Sequence, residues 1–224
     1  MPIPIPVFTL KIQNYYFTMI ENIYTVRHGS RLDFEDDNWK INAVRPDDPP
    51  LSEKGMKQAV KTAEFLKNRG IRHIFSSPFY RTLQTAGVIA SALNLRINVE
   101  DGLSEWLNPL WFDDYPVILS QQEREKEFDM IEKDYNSVVY PVFPEREENV
   151  DVFIRIKQVL NKLIYSMLNT VLIVGHGATV SQIGRVLLDF PAFLDFGYCA
   201  VNHLKYENNK WNLKMGTSKH LVNV

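Results

Sequence analysis

The stretch Ile23-Tyr24-Thr25-Val26-Arg27-His28-Gly29-Ser30-Arg31 decides the fold. Its first four residues form an apolar run typical of a buried strand, and the run ends abruptly at a cation, an imidazole and a glycine. Ligands of an open α/β sheet bind at the carboxyl ends of its strands. The guanidiniums of Arg27 and Arg31 on either side of the His28 imidazole indicate an anion-binding site, and phosphate is an anion that arginine binds especially well.

The composition is that of a globular protein with one domain. The chain has 224 residues, of which 45% are hydrophobic, and its net charge is −2. This charge gives no overall basic field that would indicate nucleic-acid binding, and no apolar run is long enough to span a membrane. The single cysteine, Cys199, excludes an internal disulfide and favours a reducing compartment, so we expect a cytoplasmic protein.

The N-terminus differs from the rest of the chain. Residues 1–19 are predicted to form an extended arm, because Pro2, Pro4 and Pro6 prevent a helix. The arm has neither the basic start nor the continuous apolar run of a signal peptide. The domain pattern begins just after Met19, so Met1 and Met19 are both candidates for the functional start. Residues 20–224 are predicted to form a single domain.

Strand and helix patterns alternate through this domain. Strands are predicted at residues 23–26, 73–76, 96–99 and 171–174, and helices at about 52–69, 78–93, 150–167 and from 177 onward. A C-terminal hairpin is predicted from residues 201–206 and 211–215 around Asn208-Asn209. The alternation predicts an α/β fold with a mostly parallel central sheet between two layers of helices. Residues 107–149 break the rhythm and are predicted to be an insertion with a surface helix near 121–134.

Functional-looking side chains follow all four predicted parallel strands. They are Arg27, His28 and Arg31 after the first strand, Arg81 in the helix after the second, Glu105 after the third, and His176, between Gly175 and Gly177, after the fourth. Because the carboxyl ends of parallel strands meet at one edge of a sheet, we expect these groups to converge.

Two histidines, three arginines and a carboxylate suit phosphoryl transfer through a covalent intermediate. A neutral imidazole can attack phosphorus, and nearby arginines keep it neutral and stabilise the transition state. A carboxylic acid can protonate the leaving group and then deprotonate water. Glu105 is favoured for this role by its place after the third strand, in competition with Glu100, Asp101, Asp113 and Asp114. The set needs no metal or cofactor, and none is expected.

These motifs resemble the histidine phosphatase (phosphoglycerate mutase-like) superfamily over about residues 22–215. The segments that carry the resemblance are Arg27-His28-Gly29, the run from Ser76 to Ala86, Gly102-Leu103-Ser104-Glu105-Trp106 and Gly175-His176-Gly177. The resemblance implies that His28 is the nucleophile and Glu105 the acid/base. It also implies that Arg27, Arg81 and His176 form the phosphate pocket.

Arg31 and the Leu-Ser-Glu-Trp segment resemble one branch of that superfamily, which contains the suppressor-of-T-cell-receptor-signalling and ecdysteroid-phosphate phosphatases. This implies a metal-independent phosphatase for phosphomonoesters, with phosphotyrosyl protein or another aryl phosphate as substrate. The aromatic residues between Trp106 and Tyr115 follow the predicted acid directly and are candidates for a wall around an aromatic leaving group. A homodimer is left open.

Several alternatives stay open. One is phosphoryl transfer of the phosphoglycerate mutase or sugar bisphosphatase type, although residues 31–36 stand where the mutase branch has an asparagine- and tryptophan-bearing segment. Another is a non-catalytic phosphate-binding scaffold. Gly177 stands where the histidine acid phosphatase branch has an aspartate, which argues against that branch. A metallohydrolase is the least favoured, because it would need more ligands at suitable spacing.

Overall fold

The computed structural model describes residues 20–141, 148–164, 166, 169–188, 194–222 and 224. The predicted N-terminal arm, residues 1–19, lies outside this part of the chain.

A six-stranded sheet runs through the domain. Its strands are β1 (Asn22–Arg27), β2 (His73–Ser76), β3 (Ile97–Val99), β4 (Thr170–Gly175), β5 (Val201–Glu207) and β6 (Lys210–Thr217), and they lie in the order β3-β2-β4-β1-β5-β6. The four strands from β3 to β1 are parallel, and β5 and β6 add to β1 as an antiparallel hairpin. The prediction of a mostly parallel sheet with a C-terminal hairpin is confirmed.

Helices cover both faces of the sheet. They are α1 (Trp39–Asn42), α2 (Glu53–Leu66), α3 (Tyr80–Leu93), α4 (Gln121–Glu127), α5 (Asn149–Ile164) and α6 (Gly177–Leu187). Strand residues alternate between two cores: Ile23 packs with α5 and α6, whereas Tyr24 packs with α2 and α3. All six residues of β4 are buried, as expected of a central parallel strand with helices on both sides.

Two local features differ in how well the sequence predicts them. The hairpin turn is as predicted, since Asn208 and Asn209 have φ values of 53° and 61°, a left-handed pair that asparagine tolerates. The helix near 121–134 is shorter than predicted, because α4 ends at Glu127 and the chain then turns to pair Ile131 with Ile97 beside β3. None of the helices in the described part of the chain could cross a membrane.

Candidate active site

The carboxyl ends of β1 and β4 lie side by side and bring His28 and His176 together. Arg27 pairs with Gly175 at the last position of the ladder, and the next N–H, that of His28, donates to the Gly175 carbonyl at 2.9 Å. The two imidazole centroids are 5.4 Å apart, and both side chains are buried. Adjacent parallel strands therefore place the two predicted histidines in one buried pocket.

The surroundings of His28 fix both its charge and its tautomer. Burial holds its pKa well below the usual range, and the neighbouring Arg81 and His176 lower it further, so the imidazole is neutral. Nδ1 lies 2.8 Å from the carbonyl oxygen of Gly29. Because a carbonyl only accepts hydrogen bonds, Nδ1 carries the proton. Nε2 is then the nitrogen with a free lone pair, which is the state a nucleophile needs.

Two glycines hold the turn after β1 against the start of α2. A Cβ on Gly55 would lie 2.1 Å from the Ser30 carbonyl oxygen, and a Cβ on Gly29 would lie 2.6 Å from the Gly55 carbonyl oxygen. No side chain fits between these backbones. Hydrogen bonds from the Ser52 N–H to the Ser30 carbonyl and from the Ser30 N–H to Gln58 complete the contact. The backbone beside His28 is thus packed rigidly on a helix.

His176 is the N-cap of α6 and is held by groups on both sides of its ring. Nε2 lies 2.8 Å from the hydroxyl of Ser77, and Nδ1 lies 3.2 Å from Oε2 of Glu105. Burial lowers the pKa of His176 to about 4 even though Glu105 opposes this effect. In the neutral ring, Nδ1–H donates to the carboxylate and Nε2 accepts from Ser77. Its Nδ1–H is therefore a donor directed at an anionic group.

Arg81, in the first turn of α3, supplies a second donor to the same place. Its side chain is 1% exposed, and Nη2 lies 3.4 Å from Oε2 of Glu105 and 3.4 Å from Nδ1 of His176. Burial lowers the pKa of Arg81, and Glu105 raises it in part; a guanidinium remains charged. Arg81 and His176 together form a cradle of N–H donors around one oxygen position.

Asp48 holds Arg81 from the other side. Its Oδ1 lies 3.6 Å from Nη1 of Arg81 and accepts the N–H of Tyr80 at 2.8 Å. The predicted helix start at residue 78 is therefore wrong by two residues: α3 begins at Tyr80, and Asp48 takes the place of a local capping side chain. Burial raises the pKa of Asp48 to about 6, although Arg81 opposes this effect.

Glu105 faces both histidines. Its Oε2 accepts from Arg81 and His176, and its Oε1 accepts the N–H of Trp106 at 3.0 Å. Burial raises the pKa of Glu105, but His176, Arg81 and His28 outweigh this effect and hold the pKa well below the usual range. Glu105 is therefore a carboxylate that is stabilised by the N–H donors of Arg81 and His176.

The four competing carboxylates are occupied or exposed. Glu100 is fully buried and accepts hydrogen bonds from the hydroxyl of Tyr135 and from backbone N–H groups, including that of Gly102. Asp101 pairs with Arg124 at 3.3 Å. Asp113 and Asp114 are exposed. Among these candidates, the structure brings Glu105 alone into contact with His176.

Arg27 directly precedes His28, and a later segment of the chain holds its guanidinium. Its Nη1 donates to the Phe196 carbonyl at 3.0 Å, and its guanidinium lies 4.2 Å from the ring centroid of Tyr198. A Cβ on Gly177, the first residue of α6, would lie 3.7 Å from the Arg27 Cζ. The guanidinium is thus sandwiched between an aromatic ring and the start of the helix that follows His176.

Arg31 stands apart from this group. It forms a two-point ion pair with Asp33, at 2.9 and 2.5 Å, and lies 4.5 Å from the ring centroid of Phe34. Its charge still lowers the pKa of Arg81 and of Asp48. Arg31 is therefore near the pocket, but its guanidinium is held by Asp33.

A metal ion is the alternative occupant of this pocket. Ligand atoms of His28, Glu105 and His176 lie within 4.8 Å of one another. The buried guanidinium of Arg81 next to the same carboxylate oxygen disfavours a divalent cation and favours an anion.

Several residues of the site were given no role from the sequence, although Asp48 and Ser77 lie in segments that resemble the superfamily. They are Asp48, Ser77, Arg155, Thr179 and Tyr198. One signal was available for Arg155, because it falls within the otherwise apolar buried stripe of α5. An arginine in such a stripe indicates a specific buried partner.

A protein-family model and known relatives match most of this chain. A family model described as the histidine phosphatase superfamily (branch 1) matches residues 23–218. The probable phosphoglycerate mutase GpmB of Yersinia pestis is 30% identical over 199 residues, which cover 84% of this chain and 86% of that protein.

Solved structures show the same fold. The ecdysone phosphate phosphatase of Bombix mori, in complex with tungstate, has a TM-score of 0.69 and 22% identity, covering 87% of this chain and 92% of that one. A mycobacterial glucosyl-3-phosphoglycerate phosphatase in complex with inorganic phosphate has a TM-score of 0.62 and 22% identity. The match covers 90% of this chain and 99% of that one.

Proposed function

The chain belongs to the histidine phosphatase superfamily, and we propose that it hydrolyses phosphomonoesters through a phosphohistidine formed on His28. One observation carries the proposal: the hydrogen bond from Nδ1 of His28 to the Gly29 carbonyl leaves Nε2 unprotonated in a pocket of arginine and imidazole donors. A buried neutral imidazole facing such donors suits attack on phosphorus.

The reaction follows from these groups in two steps. The lone pair of His28 Nε2 attacks phosphorus, the bond from phosphorus to the ester oxygen breaks, and Glu105, once protonated, gives its proton to that oxygen. Water then attacks the phosphohistidine and gives a proton to Glu105, the P–N bond breaks, and inorganic phosphate leaves. Arg81 and His176 donate to the phosphoryl oxygens in both steps.

Electrostatics supports the switch of Glu105 from carboxylate to acid. Its low pKa depends first on His176, which donates to it, and then on the positive charge of Arg81. A phosphate dianion bound to those donors neutralises their effect and adds a like charge beside the carboxylate. Both changes raise the pKa of Glu105. Substrate binding thus protonates the group that must act as the acid.

For the substrate, we favour an aryl phosphate such as phosphotyrosine in a protein. Trp106 follows the acid directly, and its ring packs against that of Trp111 with centroids 5.2 Å apart. Trp111 is 54% exposed, which leaves much of its ring available to a ligand. An aromatic leaving group next to Glu105 would stack on this pair. A reducing, cytoplasmic setting suits the buried Cys199.

Phosphoryl exchange of the mutase type is the second candidate. It is favoured by one observation, the 30% identity to a probable phosphoglycerate mutase. A phosphate-binding scaffold is the third candidate, and it predicts binding of phosphate without turnover of any phosphoester. Incubation of labelled phosphoglycerates with the protein separates these cases, because a mutase exchanges the phosphoryl group and a phosphatase releases it to water.

The direct test is hydrolysis of p-nitrophenyl phosphate in EDTA. We expect turnover that resists chelation and a labelled phosphoenzyme that is labile in acid and stable in alkali. His28→Ala should abolish both, whereas His73→Gln, a histidine on β2 outside the pocket, should preserve both. Full activity in His28→Ala would refute the mechanism, and loss of activity on chelation would favour a metal.

A further inference from the structure

Side chains from two helices bind the backbone of the segment that carries Glu105. Four consecutive carbonyls, from Gly102 to Glu105, each accept a hydrogen bond from a side chain. Arg155 on α5 donates to Gly102 and Ser104 at 2.9 Å each and to Glu105 at 3.1 Å. Thr179 on α6 donates to the remaining carbonyl, that of Leu103, at 3.2 Å.

This arrangement compensates for the weak local structure of the segment. β3 has only three residues, and the chain then makes a single 3-10 turn over Asp101–Leu103 before it reaches Glu105. A side chain on such a segment is placed less reproducibly than one on a helix. An acid catalyst needs its oxygen within hydrogen-bond reach of the leaving group, and small displacements are costly.

Arg155 suits this role because of its shape and its burial. Its side chain is buried, and the planar guanidinium presents several N–H donors in a fixed fork, so one group can bind three carbonyls. The contact with α5 is close: a Cβ on Gly102 would lie 2.5 Å from a methyl group of Val159. The segment from Gly102 to Glu105 cannot move toward α5 without a clash with Val159, and it cannot move away without breaking its hydrogen bonds to Arg155.

Thr179 connects the same segment to the second histidine. It belongs to α6, whose N-cap is His176. A Cβ on Gly175 would lie 2.8 Å from the Thr179 side chain, so β4 and the first turn of α6 are closely packed there. The position of Glu105 is thus set relative to His176 through one rigid helix.

We propose that Arg155 and Thr179 are positioning residues for Glu105, and that they determine how well the protein protonates poor leaving groups. The inference rests on the proposed role of Glu105 as the acid. Leaving groups that are weak bases depart without much help, whereas alkoxides need the proton. Disturbing the two residues should therefore cost activity mainly on alkyl phosphates.

The test compares kcat/KM for p-nitrophenyl phosphate and for β-glycerophosphate, because kcat/KM reports the steps up to formation of the phosphoenzyme. For Arg155→Met we expect a loss of about tenfold or more on the alkyl phosphate and of less than about threefold on the aryl phosphate. Arg155→Lys keeps the charge without the fork, so it should show a smaller shift of the same kind. Thr179→Val should also lower kcat/KM more for the alkyl phosphate than for the aryl phosphate. This variant provides the test if Arg155→Met does not fold.

Two further variants calibrate the comparison. Glu105→Gln should show the largest alkyl-selective loss, and Arg185→Met, which removes an exposed arginine from α6, should leave the ratio unchanged. Equal losses on both substrates in Arg155→Lys and Thr179→Val, or no loss in either, would overturn the inference. Failure of the proposed function is distinct from this, because it would appear as turnover that survives His28→Ala.

Discussion

Oε2 of Glu105 lies 3.2 Å from Nδ1 of His176 and is the acceptor for both His176 and Arg81. Under the proposed function, a carboxylate in this position competes with a phosphoryl oxygen for the same two donors. The proposed function therefore predicts that substrate binding and protonation of Glu105 are coupled, since the anion that takes the donors also makes the charged carboxylate less stable.

Anion binding should take up protons. Sulfate is a suitable probe because it stays dianionic across the neutral pH range and imitates phosphate in shape. As sulfate raises the pKa of Glu105 and of the two histidines, calorimetry in buffers of different ionisation enthalpy should show uptake of up to about one proton, with affinity increasing as the pH falls. Glu105→Gln should reduce the uptake; uptake that is absent, or equal in both proteins, would contradict the coupling.

Asp48→Asn should change the pH dependence of stability. Burial raises the pKa of Asp48 to about 6 from 3.8. Between these two pH values, Asp48 is therefore protonated in the folded protein and ionised in the unfolded chain. This stabilisation is complete below the unfolded value and is lost as the pH rises through about 6, by up to about 3 kcal/mol. Urea titrations at pH 4 to 8 should show the Asp48→Asn variant gaining stability relative to wild type as the pH rises. A difference that stays constant with pH would contradict the raised pKa.

Gly55→Ala should destabilise the protein and impair the site. The new Cβ would lie 2.1 Å from the Ser30 carbonyl oxygen, which is backbone and can move only with the turn beside His28. We expect a loss of about 1–3 kcal/mol in the free energy of unfolding, together with lower activity. Gly87→Ala is the matched control, because its Cβ would meet only Phe128, at 3.7 Å. That variant should be neutral or more stable, as expected for alanine in a helix.

Trp111→Ala should reduce the proposed preference for aryl substrates. Loss of its ring from the Trp106–Trp111 pair should lower kcat/KM for p-nitrophenyl phosphate by about 3- to 10-fold and leave β-glycerophosphate almost unchanged. This pattern is the opposite of the one expected for Arg155→Met. Leu110→Ala, which removes a 90% exposed side chain from the same segment, should affect neither substrate. Parallel losses on both substrates in Trp111→Ala would argue against an aryl subsite.

Much of the architecture could be predicted from the sequence because its signals are local. Apolar runs such as residues 171–174 mark strands, and the Asn208-Asn209 pair marks the hairpin turn. The start of α3 could not be predicted in this way. Ser77-Pro78 has the form of a local cap, but Asp48, 32 positions before Tyr80, accepts the first helical N–H instead. A cap supplied across the fold leaves no trace in the helix's own sequence.

The sequence by itself determined the strand-and-helix alternation and placed Arg27, His28, Arg81, Glu105 and His176 after strand ends, because parallel strands deliver such residues to one edge. Sequence position favoured Glu105 over Glu100, but only the tertiary structure decided which carboxylate faces the histidines, since Glu100 is buried among other donors and Glu105 contacts His176. It also decided that Arg31 pairs with Asp33 and that Arg155 and Thr179 hold the Glu105 segment. Hydrogen bonds between distant segments depend on three-dimensional distance, which no local pattern of residues encodes.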